Sequence, residues 1–175
     1  MKRKVWMMVC VMLILLCTGC GTGTGENGSQ GTLGAEGELT DIITQIYEKK
    51  DPGIEVGTVS IELSNADMVK MYTGLDSADG IQEAVASEAM MTSQAYSLVL
   101  VRVMDEDEAA EVAKAMKEGI DQRKWVCVEA DDLQVVGCKD LVMLFMVSSE
   151  YSDTVTSADM VEAFKEVCGG TLTVE

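Results

Sequence analysis

Residues 96–104 of this 175-residue chain, Tyr-Ser-Leu-Val-Leu-Val-Arg-Val-Met, decide the fold. Apolar side chains alternate onto both faces of the stretch, with Val99, Val101 and Val103 on one face and Leu98, Leu100 and Met104 on the other. A strand that is apolar on both faces is covered on both faces in the folded protein. The stretch therefore predicts a central strand that is buried on both sides.

The next segment, residues 105–122, has the pattern of an amphipathic helix. Asp105 is predicted to cap the helix, and Glu108 to complete a capping box. Its apolar side chains recur at helical spacing at Ala109, Val112, Ala113, Met116 and Ile120. Acidic residues at its start and basic residues in its later turns suit the helix dipole.

Downstream, residues 133–137 and 141–147 predict two short strands around a hairpin at 138–140. A last helix is predicted after a cap over residues 156–159, and two glycines at 169–170 end it.

Upstream, residues 39–50 predict a helix that ends at Pro52, and residues 56–63 alternate weakly, as an extended segment would. A short helix is predicted after a cap at Ser64. Residues 81–91 fit a helix or a strand. Together these elements predict an α+β fold in which helices pack on one face of a mostly antiparallel sheet of about four strands.

The first twenty residues have the order of a lipoprotein signal peptide. Lys2, Arg3 and Lys4 precede an apolar run, which ends in Thr18, Gly19 and Cys20. Small residues before the cut and a thiol after it predict a signal peptide over residues 1–19 and lipidation of Cys20. The alternative is an uncleaved anchor, although the apolar run is short for a span of ~20 residues.

Residues 20–37 predict a lipidated cysteine followed by a flexible linker, and residues 38–175 a single domain. The linker is rich in glycine, serine and threonine, and has a reach of roughly 20–25 Å. Two acyl chains at Cys20 would hold the protein stably on the extracytoplasmic face of the cell membrane.

Composition excludes several classes of function. The formal charge is 13 − 30 = −17, and loss of the three basic signal residues changes it to 10 − 30 = −20. Such a chain repels nucleic acid. Histidine is absent, so no Ser-His-Asp or Cys-His centre can be built from this chain. No catalytic residue, metal site or cofactor is predicted.

The order of elements resembles an uncharacterised family of small lipoproteins of Firmicutes-type bacteria, the domain of unknown function four-three-five-eight. The resemblance rests on the lipobox at Cys20, a strand pair over 81–104, an acidic cap opening a helix that runs to Gln122, and a hairpin and helix over 133–168. The resemblance implies that residues 81–91 form a strand, that the protein is extracytoplasmic and that the fold is α+β. It implies no functional site residue. Trp125 stands where the family has a Tyr-Pro-like element.

Four apolar residues in connecting segments form the predicted interaction patch: Trp125, Val126, Met90 and Met91. Trp125, together with Val126 and Val128, is interpreted first as an apolar lid over the sheet, and the exposed binding patch is the alternative. The other methionines after Cys20 are expected in the core rather than in a Cu(I) site. Cys127, Cys138 and Cys168 are expected to be buried thiols.

Two groups of acids remain open as calcium sites. Residues 105–108 are interpreted as a helix cap, with calcium binding as the alternative. Glu129, Asp131 and Asp132 lie in a connection predicted to be irregular, where a cation site is a second alternative.

The sequence thus predicts a non-enzymatic, lipid-anchored protein of the cell envelope. Its domain is expected to bind an envelope protein with a basic or mixed surface through an apolar patch rimmed by acids. A small-ligand- or cation-binding lipoprotein and an enzyme using carboxylates are the alternatives.

Overall fold

The computed structural model describes residues 35–174. The predicted signal peptide, Cys20 and most of the predicted linker lie outside the described residues. The helices and strands are, in chain order, α1 (Leu39–Lys49), β1 (Val56–Ser60), α2 (Ala66–Thr73), β2 (Ile81–Ala89), β3 (Tyr96–Val103), α3 (Ala109–Gly119), β4 (Asp132–Cys138), β5 (Leu141–Val147) and α4 (Ser157–Val167). No helix among them is long and apolar enough to cross a membrane.

The described strands form one antiparallel sheet in the order β1-β2-β3-β5-β4. The α+β class and the antiparallel sheet are confirmed, but the sheet has five strands and not about four. The additional strand is β1, which pairs with β2 from Val56 opposite Ala89 to Ser60 opposite Val85. Of the ambiguous residues 81–91, Ile81–Ala89 form the strand β2, and Met90 and Met91 lie in the turn that follows it.

The prediction for β3 is confirmed, because the strand lies in the middle of the sheet and is buried throughout. Val99, Val101 and Val103 belong to one core, and Leu98 and Leu100 to a second core on the opposite face. The prediction for Met104 is wrong. The strand ends at Val103, and the Met104 side chain is 71% exposed.

Helices cover both faces of the sheet, and not one face as predicted. The first core includes residues of α2 and α3, and the second core includes residues of α1 and α4. The physical reason lies in β3 and β5, whose side chains are buried on both faces. Burial of one aliphatic side chain stabilises the fold by roughly 1.5–3 kcal/mol. Because both faces of the sheet carry such side chains, both faces need a covering layer of helices.

The predicted helix over 105–122 is shorter in the structure. It opens with a 3-10 turn over Glu106–Glu108 and ends at Gly119. Asp105 accepts a hydrogen bond from the Asp107 nitrogen at 3.1 Å, and the predicted box with Glu108 is not formed. At its end the helix meets Gly74, where an added Cβ would lie 2.4 Å from the Ile120 nitrogen.

The other two predicted caps differ in outcome. The cap of α4 at Thr156 is confirmed, and it is a capping box, since Thr156 and Asp159 exchange hydrogen bonds of 3.2 and 3.0 Å. The cap of α2 is Asn65 and not Ser64. The Asn65 side chain accepts from the Met68 nitrogen at 3.2 Å, while the Ser64 hydroxyl donates to Glu62.

The sheet has two ends, which we name by their connections. The turn end carries residues 90–95, which join β2 to β3. The hairpin end carries Lys139 and Asp140, which join β4 to β5 with Lys139 at a φ of 56°. Helix α1 starts at the hairpin end and finishes at the turn end, where the Tyr47 hydroxyl donates to Ser87 at 2.8 Å.

A buried cation fixes the hairpin end. The Arg102 guanidinium donates to Asp140 at 2.7 Å and to Glu83 at 2.9 Å. Burial alone would lower the pKa of Arg102, but the hydrogen bonds to Asp140 and Glu83 raise it above its ordinary value. The same guanidinium donates to the carbonyl oxygen of Gly37 at 3.0 Å. It therefore fastens the segment that leads into α1, inside the range predicted as linker.

Candidate interaction surface

The structure brings the four residues of the predicted patch to the turn end. The Val126 nitrogen donates to the Thr92 carbonyl oxygen at 3.4 Å, which joins the 120–131 connection to the β2–β3 turn. The side chains of Met90, Met91 and Val126 are 68%, 59% and 65% exposed. We call these three residues, with Trp125 at their base, the apolar tip.

The segment that carries Trp125 and Val126 is a loop closed at its neck. The Ala130 nitrogen donates to the Gln122 carbonyl oxygen at 2.9 Å, and the Gln122 side chain donates back to the Ala130 carbonyl oxygen. Ala130 is fully buried. One residue further along, the Arg123 guanidinium contacts the Glu129 carboxylate at 2.6 Å. These contacts hold the ends of residues 122–130 together, so the loop presents its middle residues at the surface.

The β2–β3 turn is also fixed in place. The Met90 nitrogen donates to the Glu55 carbonyl oxygen at 3.0 Å, and the Gln94 nitrogen to the Met91 carbonyl oxygen at 3.0 Å. At the end of the turn, the Ser148 nitrogen donates to the Ala95 carbonyl oxygen at 2.9 Å. Met90 and Met91 are thus exposed on a backbone that is hydrogen-bonded to neighbouring segments.

The nearly buried ammonium group of Lys124 packs beneath Trp125, at the base of the apolar tip. The Lys124 side chain is 9% exposed and forms an ion pair with Glu88. Its Nζ lies 5.1 Å from the centre of the Tyr72 ring and 5.2 Å from that of Trp125, which is cation–π distance. Burial lowers the pKa of Lys124, against the opposing effect of Glu88. The sequence pattern does not indicate this role of Lys124, because the residue was expected among the basic residues that end the predicted 105–122 helix.

Lys124 and Ser97 form a pair that resembles a nucleophile and its base, but its surroundings do not allow catalysis. The Lys124 Nζ lies 3.3 Å from the Ser97 Oγ. A Ser–Lys pair acts in catalysis when the hydroxyl is free to attack a substrate. Here Ser97 is 0% exposed and its hydroxyl donates to Glu88 at 2.8 Å. The arrangement therefore serves to satisfy buried polar groups.

An open cavity of about 580 Å³ adjoins Trp125. Its lining includes one guanidinium, Arg123, and three carboxylates, those of Glu129, Asp131 and Glu150. The lining charge is therefore 1 − 3 = −2. Hydrogen bonds from the Ser149 backbone and hydroxyl, at 2.6 and 2.7 Å, lower the pKa of Asp131 and keep it ionised. The surface beside the apolar tip is thus acidic.

Three of the acids considered as calcium ligands, those at 129, 131 and 132, have partners within the domain. Glu129 contacts Arg123, Asp131 accepts from Ser149, and Asp132 accepts from the Ser157 nitrogen at 2.7 Å. A second cavity, of about 420 Å³, is lined by Asp76, Asp79, Glu108 and Glu111, among others. Within residues 35–174, no group of three or more acids or cysteines is placed to hold a metal ion.

The sulfur-bearing residues are divided between core and surface. Buried methionines fill both cores, at Met116 and Met146 in the first and at Met143 and Met160 in the second. The expectation of a core position is wrong for Met71, which is 47% exposed on α2. Cys138 is buried and Cys168 partly buried. The prediction for Cys127 is wrong, because its loop position has a φ of 63° and leaves the residue exposed in the acidic cavity.

No family model, curated protein or solved structure matches this chain.

The Lys124–Glu88 pair generates a stability prediction. Lys124→Met is expected to lower the free energy of unfolding by about 1–3 kcal/mol, because it leaves the Glu88 carboxylate in a partly buried position without its cation. Chemical denaturation followed by circular dichroism measures this loss. The double variant Lys124→Met/Glu88→Gln removes both charges and should recover most of it.

The same pair has a pH signature. The pKa of Lys124 is lowered from 10.5 in the folded domain. As the pH rises toward 10.5, the folded chain therefore releases the Lys124 proton before the unfolded chain does, and stability increases wherever the unfolded chain binds more protons. The stability of the parent relative to Lys124→Met should therefore increase over that range. A difference that is flat with pH, or that decreases, would contradict the burial of this ammonium group.

Proposed function

We propose that this chain is a lipid-anchored extracytoplasmic protein, related to the lipoprotein family that it resembles, whose domain binds a protein partner through the apolar tip. The role is one of binding and not of catalysis. The order of basic, apolar and small residues before Cys20 supports the anchor. The exposed side chains of Met90, Met91 and Val126 support the binding surface.

The position of the tip on the domain carries this proposal. Residues 35 and 37 are held by Arg102 at the hairpin end, whereas the tip lies at the turn end. β3 joins the two ends with eight residues, which span roughly 25 Å. A tether from Cys20 would therefore join the domain at the end opposite the tip, and the tip would remain accessible to a partner.

Charge complementarity selects the partner. The exposed methionines and Val126 provide a small apolar contact, and methionine adapts to different partner shapes. Beside them, the cavity carries a net charge of 1 − 3 = −2, on a mature chain with a charge of 10 − 30 = −20. Such a surface attracts cationic partners and repels anionic ones. The partner we propose is an envelope protein segment with lysine or arginine beside an apolar side chain.

The size of the acidic cavity favours a second candidate. A volume of about 580 Å³ lies within the range of small-molecule pockets, roughly 300–1,000 Å³. Its carboxylates would suit a small organic cation. Ligand binding there would depend on Glu129 and Glu150, while removal of Met91 or Val126 would leave it unchanged.

The anchor is tested by Cys20→Ala. We expect this variant to lose lipidation and signal processing, because the thiol that receives the acyl chains is gone. Metabolic labelling with a fatty acid and fractionation of membranes measure both. Cys17→Ala is the matched control and should remain labelled. If Cys20→Ala were labelled and processed like the parent, the lipobox assignment would be wrong.

The binding surface is tested by Met91→Ser/Val126→Ser. Both side chains are exposed, so the substitutions leave the core intact, unlike a substitution of half-buried Trp125. A photo-reactive residue at Thr92 should yield a discrete cross-linked product in intact cells. We expect the double variant to reduce its yield by roughly tenfold.

Met104→Ser is the control for this experiment, because Met104 is equally exposed but lies at the hairpin end. It should leave the yield unchanged. Equal yields from the parent and Met91→Ser/Val126→Ser would show that the tip is not the interface. A product lost only on Glu129→Gln/Glu150→Gln would favour the acidic cavity instead.

A further inference from the structure

Two cysteines meet at the hairpin end. Cys138 is the last residue of β4 and is buried, while Cys168 follows the last residue of α4 and is partly exposed. The Cys138 sulfur lies 3.9 Å from the carbonyl oxygen of Cys168, and both side chains pack in the second core. The third described cysteine, Cys127, lies in the loop at the turn end.

The chain on both sides of the pair is fixed. Asp132, the first residue of β4, accepts from the Ser157 nitrogen at the start of α4. Beyond α4, the Thr173 nitrogen donates to the Gly137 carbonyl oxygen at 2.8 Å. The Lys139 nitrogen in turn donates to the Thr173 hydroxyl at 2.9 Å. The neighbours of Cys138 thus hold the segment after Cys168, which keeps the two cysteines at the same end of the sheet.

We propose that Cys138 and Cys168 form an intramolecular disulfide. A disulfide requires the two cysteines to lie at short range, and here the Cys138 sulfur is 3.9 Å from the backbone of Cys168. Cys127 cannot take part from the opposite end of the sheet, so it remains the free thiol. This pairing accounts for the odd number of cysteines after Cys20.

The oxidant is a second disulfide, of a small thiol or of a protein oxidoreductase. The Cys168 thiol loses its proton and attacks this disulfide, which releases one thiol and leaves a mixed disulfide on Cys168. The Cys138 thiolate then attacks the Cys168 sulfur and displaces the second thiol. One S–S bond forms within the chain, two protons are released from its thiols, and the two electrons reduce the incoming disulfide to two thiols.

Burial raises the pKa of the Cys168 thiol, and the neighbouring Cys138 thiol adds to that effect. Little thiolate is therefore present in the folded domain, and exchange is slow there. The bond should form mainly while the chain folds. Persistence of the bond in the cell rests on the extracytoplasmic location proposed above, since cytoplasmic thiol systems keep such pairs reduced.

The test uses the full-length chain with Cys127→Ala, refolded in a buffer of oxidised and reduced glutathione. Trypsin cleaves after Lys124, Lys139 and Lys165, so Cys138 and Cys168 are on separate peptides, 125–139 and 166–175. Mass spectrometry without reduction should show these peptides joined, about 2 Da lighter than their sum because two hydrogens are lost. Reduction should separate them and lower the melting temperature by roughly 5–15 °C.

Two further samples make the outcome specific. Cys127→Ala/Cys168→Ala should give no joined peptide and no change in melting temperature on reduction. If peptides 125–139 and 166–175 remain separate after refolding of Cys127→Ala, the proposal is overturned. Protein alkylated in intact cells before lysis tests the location separately. A bond that forms on refolding but is absent in cells would contradict the extracytoplasmic address and leave the pairing intact.

Discussion

Burial of β3 on both faces is the constraint on which the rest of this structure depends. Every residue from Tyr96 to Val103 is buried, although the strand alternates between two different cores. An antiparallel sheet with one apolar face is stable with a single helical layer, but this sheet needs two. The chain therefore places helices on both faces, and the segments that connect helices and strands lie at the two ends of the sheet. The ends are where exposed and chemically distinctive residues lie.

The two ends of the sheet differ in the side chains that they bury and expose. At the hairpin end, Arg102 gathers Asp140, Glu83 and the carbonyl oxygens before α1, next to the pair of Cys138 and Cys168. At the turn end, polar groups are drawn inward around Lys124, and apolar side chains are left outside. One end is a fixed point for the incoming chain, and the other presents the apolar tip. This division is the physical basis for proposing an anchored binding module.

Local sequence signals predicted local structure well. The two-sided apolar pattern of β3, the hairpin between β4 and β5 and the cap at Thr156 are present, because each depends on residues close in sequence. The exact cap was missed at the other two helices, where Asn65 caps α2 and no box forms between Asp105 and Glu108. Contacts over long distances were not predictable. The pairing of β1 with β2, the ion pair of Arg102 with Asp140 and the packing of Lys124 under Trp125 depend on strand order and register. Met90 and Met91 are exposed as expected, whereas Val126, which was expected in a lid over the sheet, is exposed as well. Only the fold shows that the three share one end.

Hydrogen exchange of backbone amides tests the central claim most directly. If β3 is the element on which both cores depend, the amides of Leu98 to Val101 open only when the whole domain unfolds. Their opening free energies should equal the free energy of unfolding measured by denaturant, while amides in the edge strand β1 and in the 90–95 turn should exchange at least about tenfold faster. Exchange of β3 at the rate of β1, or with an opening free energy well below that of global unfolding, would contradict this account.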